Sequence, residues 1–196
     1  MEDRRVIKTK KNIKESFIRL LSEKPFDDIT VTELCAAAGM SRITFYTHYA
    51  DKYELTESLF QELMHIASED YKKLQEATNP DGDPVVGYCN LLDSILNLYS
   101  SNTLFLRQMS QRRNPYLYYS FYNHMFKRIE LILSVEKQTL YPRFGVKKFT
   151  AFICNGLWAY IDAGYHEGCD VMQLREETKL LLTSLLRSEM FTREEN

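Results

Sequence analysis

An all-α fold is what this sequence predicts, and three observations predict it. Turn formers are scarce: 7 glycines and 5 prolines in 196 residues are about half the usual frequency of each, too few for many short strands and tight hairpins. Apolar residues recur at the helical period along most of the chain. Between these runs stand matched start and stop signals, hydroxyl or Asp caps before them and Gly or Pro after them. A hydrophobic fraction of 44% is enough for a packed core.

The first helix is marked by Ile13, Phe17, Leu20 and Leu21, one amphipathic stripe, and stops before Pro25. Phe26 and Ile29 in the following linker are expected to tuck beneath the neighbouring helices. Thr30-Val-Thr-Glu33 has the form of a capping box, in which the hydroxyl accepts the N3 amide and the Glu returns to the cap amide. A second, short helix starts there and ends at Gly39, which closes a helix cheaply in the left-handed region. Ser41 caps a third helix, expected over 42–49. Helix, tight turn and helix thus follow one another, and the alanines at 36–38 remove the bulk that would keep two steeply crossed axes apart.

Asp51-Lys-Tyr-Glu54 reads as a second capping box, opening a long helix with the stripe Leu55, Leu59, Leu63, Ile66, Tyr71 and Leu74. Asn79-Pro-Asp-Gly-Asp-Pro84 ends it and is the richest turn signal in the chain. Further helical stripes run through Tyr88–Tyr99, Leu104–Met109 and Tyr118–Ile132, for about nine helices in all. The last two, Phe149–Gly164 and the one carrying Leu180, Leu181, Leu182, Leu185, Leu186 and Met190, are apolar around more than one face. Such helices are buried on two sides, and the expected second side is another subunit, giving a homodimer through the last two helices.

Charge alone points away from nucleic acid: 25 basic against 27 acidic side chains give a net charge of −2. The distribution is uneven. Residues 1–53 hold 10 basic and 8 acidic groups, residues 54–196 hold 15 and 19, and the first 14 residues hold 6 and 2. Arg4, Arg5, Lys8, Lys10, Lys11 and Lys14 are read as a basic arm that follows a phosphate backbone. The chain is accordingly divided into an N-terminal domain, 1–53, and a C-terminal helical domain, 54–196.

Several classes are disfavoured. Thr150–Tyr160, the most apolar run, is shorter than the roughly 20 residues that cross a bilayer. The N-terminal residues lack the apolar core of a secretory signal, so a cytoplasmic location is expected, with Cys35, Cys89, Cys154 and Cys169 as free thiols. There is no Gly-rich phosphate loop, nucleophile elbow, His-Glu-x-x-His or Cys-x-x-Cys, so neither an enzyme nor a cofactor is expected. His166-Glu-Gly-Cys169 lacks a second ligand pair and reads as a helix end closed by Gly168 rather than a metal site. The basic and aromatic stretch Arg107–Tyr119 is read as a helix-to-helix loop in preference to a single-strand nucleic-acid platform.

The stretch ITVTELCAAAGMSRITFYTHYADKYEL, residues 29–55, resembles the helix-turn-helix of the TetR-type (tetracycline-repressor-like) transcriptional regulators, with the likeness running over residues 8–60. The resemblance implies an N-terminal DNA-binding domain of three helices, with a C-terminal domain for dimerisation and effector binding. It also implies a repressor acting as a dimer on a palindromic operator. On the third helix Arg42 can reach guanine O6 and N7, Ile43 a thymine methyl, and Thr44 a base edge or phosphate. Many relatives carry a small residue at position 43, and Ile43 departs from that. Tyr46 and His48 match the family's phosphate contacts, Ser41 and Thr47 share their surface, and Thr32 and Lys52, at two helix starts, are further phosphate candidates. For a small-molecule effector the candidates are Phe121, Tyr122, Met125, Asn155, Trp158 and Asp162, which combine apolar faces with a few polar groups. The alternative is a TetR-like coactivator that works by binding another regulator.

Overall fold

The computed structural model describes residues 3–109, 111–135 and 140–193; the side chains of residues 132–135, 141, 166, 192 and 193, Ile132 and His166 among them, lie outside the described residues. Nine α-helices occur among these residues: α1 (Arg4–Glu23), α2 (Val31–Ala37), α3 (Arg42–Tyr46), α4 (Lys52–Thr78), α5 (Pro84–Ser101), α6 (Thr103–Leu106), α7 (Pro115–Val135), α8 (Val146–His166) and α9 (Val171–Leu186). A 3-10 turn at Phe26–Asp28 joins α1 to α2. The helices fall into two compact units, residues 1–64 with 99–124 and residues 65–98 with 125–196. No single cut in the chain separates the two units, because α4, α5 and α7 each contribute to both.

In the first unit Ile13, Phe17 and Leu21 of α1 are fully buried with Phe26, Leu34, Phe45, Leu55 and Phe60. α1 begins much earlier than the stripe from Ile13, because Asp3 caps it by accepting from the Arg5 N–H. The expected basic arm is therefore the first turns of a helix. Lys14 leaves that set, since its ammonium pairs with Glu62 of α4 and the side chain is only 17% exposed.

In the second unit Val85, Leu92, Leu96, Phe149, Ile161, Leu174, Leu182 and Leu186 form one core. It also contains a two-stranded antiparallel ribbon, β1 (Leu140–Pro142) with β2 (Phe191–Arg193), in the register Leu140↔Arg193, Tyr141↔Thr192 and Pro142↔Phe191. Three residues per strand are too few for alternation to register in the sequence. Phe191 is held in place by its edge-on contact with Phe149, centroids 4.6 Å apart.

Candidate nucleic-acid interface

The local bonds that set α2 and α3 run as the sequence encodes them. Thr30 Oγ1 accepts from the Glu33 N–H, and Glu33 accepts in return from the Thr30 N–H. The Glu33 carboxylate is held down to about pKa 2, first by the Lys24 ammonium donating to it and then by the Thr30 hydroxyl and N–H. Gly39 takes φ 64°, a value that favours glycine, and the Met40 N–H returns to the Cys35 carbonyl. Ser41 Oγ accepts from the Thr44 N–H at 3.1 Å and opens α3. Phe45, fully buried, roots α3 in the core beside Tyr49.

α3 is shorter than the predicted 42–49. The N–H groups of both His48 and Tyr49 donate to the Phe45 carbonyl, which tightens the chain into a turn after Tyr46. That turn leaves Tyr49 buried and the Tyr46 ring 48% exposed. The Arg42 guanidinium lies 5.9 Å from the Tyr46 ring centroid. Ile43 is 82% exposed. Thr32, Ser41, Arg42 and Thr47 are exposed as well, while Thr44 and His48 are half-buried. Thr44 shares a hydroxyl bond with Ser41, and the Thr47 hydroxyl donates to the Ile43 carbonyl. The outer end of α3 therefore presents a cation, an apolar side chain, hydroxyls and a phenol together.

Lys52 is engaged within its own unit. Its Nζ donates to the carbonyls of Phe26, Asp27 and Ile29, so the ammonium expected at a phosphate is occupied within the protein. The α4 start is closed as well. Asp51 Oδ1 accepts from the N–H groups of Tyr53 and Glu54, and Glu54 returns to the Ala50 N–H rather than to that of Asp51.

The second unit holds a cavity of about 60 Å³ between α5, α7, α8 and α9, its walls including Leu91, Met125, Ile129, Cys154, Trp158 and Leu182. None of its lining side chains is charged, and burial pushes the Cys154 thiol up to about 12. Of the six effector candidates Met125 and Trp158 line it and the other four do not. Phe121 is buried in the first unit against Phe60, centroids 5.6 Å apart, and Tyr122 belongs to that unit too. Asn155 is exposed and donates to the Ala151 carbonyl, and Asp162 is exposed. Trp158 sits at the edge of the inward stripe Cys154, Leu157 and Ile161; at 100° per residue Asn155 and Asp162 fall on its outward side. Among the described residues no three His, Cys, Asp or Glu side chains gather into a metal-binding group, and no helix is long and apolar enough to cross a membrane.

A capped helix, a left-handed glycine turn and a short helix with Arg42, Ile43 and Tyr46 exposed make a helix-turn-helix on an all-α scaffold. Residues 17–59 match the bacterial regulatory proteins of the tetR family. An uncharacterised HTH-type transcriptional regulator from Bacillus subtilis, YxbF, is 37% identical over 60 residues; the aligned segment spans 30% of this chain and 16% of that relative's length. Among solved structures, the fatty acid degradation regulator FadR from Bacillus halodurans superposes with a TM-score of 0.68 at 18% identity, covering 96% of this chain and 100% of that one. A transcriptional regulator from Aquifex aeolicus does so with a TM-score of 0.59 at 16% identity, covering 90% and 99%. Residues 17–59 are thus similar to the tetR-family helix-turn-helix segment, and the chain as a whole shares the fold of these solved regulators.

Proposed function

We propose that this protein is a cytoplasmic repressor that binds a palindromic operator as a homodimer and releases it when a small uncharged apolar molecule enters the cavity of the second unit. The observation that carries the DNA reading is the outer end of α3, where an 82%-exposed Ile43 stands between Arg42 and Thr44. An isoleucine so exposed gains by covering a thymine methyl, while Arg42 reads guanine and Thr44 a base edge or phosphate. Thr32, Ser41, Tyr46, Thr47 and His48 serve the backbone on either side, and Arg4, Arg5, Lys8 and Lys11 add charge along α1.

Dimerisation is supported by the outer faces of α8 and α9. Phe152 is 59% exposed and Leu180 68%. Gly156, Ala159 and Ala163 share the exposed side of α8, and small residues there let two helices approach closely. The effector class follows from the cavity wall: a carboxylate or ammonium would find no countercharge there, and burying it unpaired is costly.

Selection of bound duplexes from a random-sequence pool tests the proposal. The expected product is a dyad whose half-sites lie about 34–36 Å apart or at a multiple of that spacing. Enrichment of no sequence, or of one without a dyad, contradicts it.

A further inference from the structure

We propose that Lys52 is a positioning residue of the DNA-binding unit, its ammonium tying the first turn of α4 to the turn between α1 and α2 and so fixing the frame that carries α3. The proposal rests on the DNA-binding reading above and changes the role of one residue in it. An ammonium has three N–H donors, and all three are placed: to Phe26 O at 2.8 Å, Asp27 O at 3.0 Å and Ile29 O at 2.9 Å. The same Nζ lies 4.5 Å from the centroid of the Phe26 ring. Lys24 takes the remaining carbonyl of the turn, Asp28 O, at 3.0 Å. Of the three carbonyls that Lys52 meets, that of Phe26 also takes the Ile29 N–H within the 3-10 turn; a turn this short offers little more, and Lys52 supplies from α4 what a longer helix would supply from within itself.

A phosphate-gripping role lacks its other parts. The Tyr53 and Glu54 amides already donate to Asp51, and the exposed Asp51 and Glu54 carboxylates put negative charge where a phosphate would approach. Burial lowers the Lys52 pKa, and the Asp27 and Asp28 carboxylates work against that drop. The far end of the clamp is itself anchored. The Phe26 N–H donates to Asn114 Oδ1 at 2.7 Å, Asn114 is 2% exposed and donates from Nδ2 to the Gln108 carbonyl, and the Phe26 ring stacks on Tyr116 at 5.1 Å. Ile29 directly precedes Thr30, the cap of α2, so any shift of this turn is passed to α2 and α3.

The test measures affinity by fluorescence anisotropy over a range of salt, on a duplex selected by the wild-type protein and on random-sequence duplex, for wild type, Lys52→Met and Lys52→Arg. Both variants are expected to keep the wild-type salt slope and to lose about tenfold in the ratio of selected to random affinity, as one lost base-pair contact does. Arginine does not rescue, because a planar fork cannot serve three carbonyls converging on one point. A Lys52→Met slope flatter by about 0.9, restored by Lys52→Arg, is the signature of a phosphate contact and overturns the proposal. Should Lys52→Met not fold, Lys52→Arg decides alone: a wild-type ratio overturns the proposal and a reduced one supports it. If the wild type binds no duplex at all, the DNA reading fails, and thermal unfolding still decides the clamp. A lowered Tm in both variants keeps it, and a wild-type Tm in Lys52→Met removes it.

Discussion

The two units are held by different kinds of force. Around α2 and α3 almost every bend is fixed by a directional bond: Thr30 with Glu33, Ser41 with Thr44, Asp51 with the α4 amides, Lys52 with three carbonyls. Around the cavity the contacts are apolar and non-directional, from Leu91, Met125, Ile129 and Leu182 among others. Hydrogen bonds fix position to tenths of an ångström, whereas apolar packing conserves volume and tolerates rearrangement. A reading head needs the first property. The ligand chamber proposed for the second unit would use the second.

Removing the root of α3 is the strongest way to break this contrast. Phe45→Ala empties a fully buried site and is expected to cost about 3–5 kcal/mol, read by denaturant unfolding, with loss of DNA binding. The second unit's counterpart is Gly164→Ala. A Cβ there would stand 2.6 Å from Leu174 Cδ1, and because Leu174 is buried the overpacking is expected to cost about 1–3 kcal/mol, lowering Tm.

Smaller effects sharpen the comparison. Thr30→Ala removes the capping-box hydroxyl and is expected to cost about 1 kcal/mol, measured as a shift of the denaturant midpoint at unchanged m-value. The Glu33 half of that box also sets a pH dependence. Its folded pKa is lowered from 4.5 to about 2, so its contribution is present above pH 4.5 and is lost as pH falls from there towards 2. The wild type should lose stability across that window more steeply than Glu33→Gln. Tyr49→Phe is the smallest change and has the opposite sign. The Tyr49 hydroxyl is buried without a hydrogen-bond partner among the described residues, so its removal should raise stability by up to about 1 kcal/mol.

The same contrast explains what was legible in the sequence. Caps and turns are local, so Thr30, Glu33, Gly39 and Ser41 mark the starts of α2 and α3 and the turn between them within a residue or two, and the apolar stripes give the helices, although α3 ends three residues before the expected Tyr49. What depends on distant partners was not legible. Lys52 reads as a phosphate candidate from its place at a helix start, and the carbonyls at 26–29 that accept from its Nζ lie more than 20 residues earlier in the chain. The cavity was half-legible. Of the effector candidates Met125 and Trp158 line the cavity, and Ile129, Cys154 and Ile161, at helical spacing from them, continue its wall. Which side of Trp158 faces inward is set by α5 and α9 and has no local signal. The β1–β2 ribbon pairs residues some 50 positions apart and left no mark in either segment.

The central claim is that the outer end of α3 reads DNA, and Arg42→Ala tests it most directly. Affinity is measured at one fixed salt concentration on the selected duplex and on random-sequence duplex. Loss of a bidentate guanine contact predicts a drop of about 1–3 kcal/mol on the selected duplex, with a much smaller loss on random sequence. Equal affinities before and after the substitution, or equal losses on both duplexes, would contradict the account.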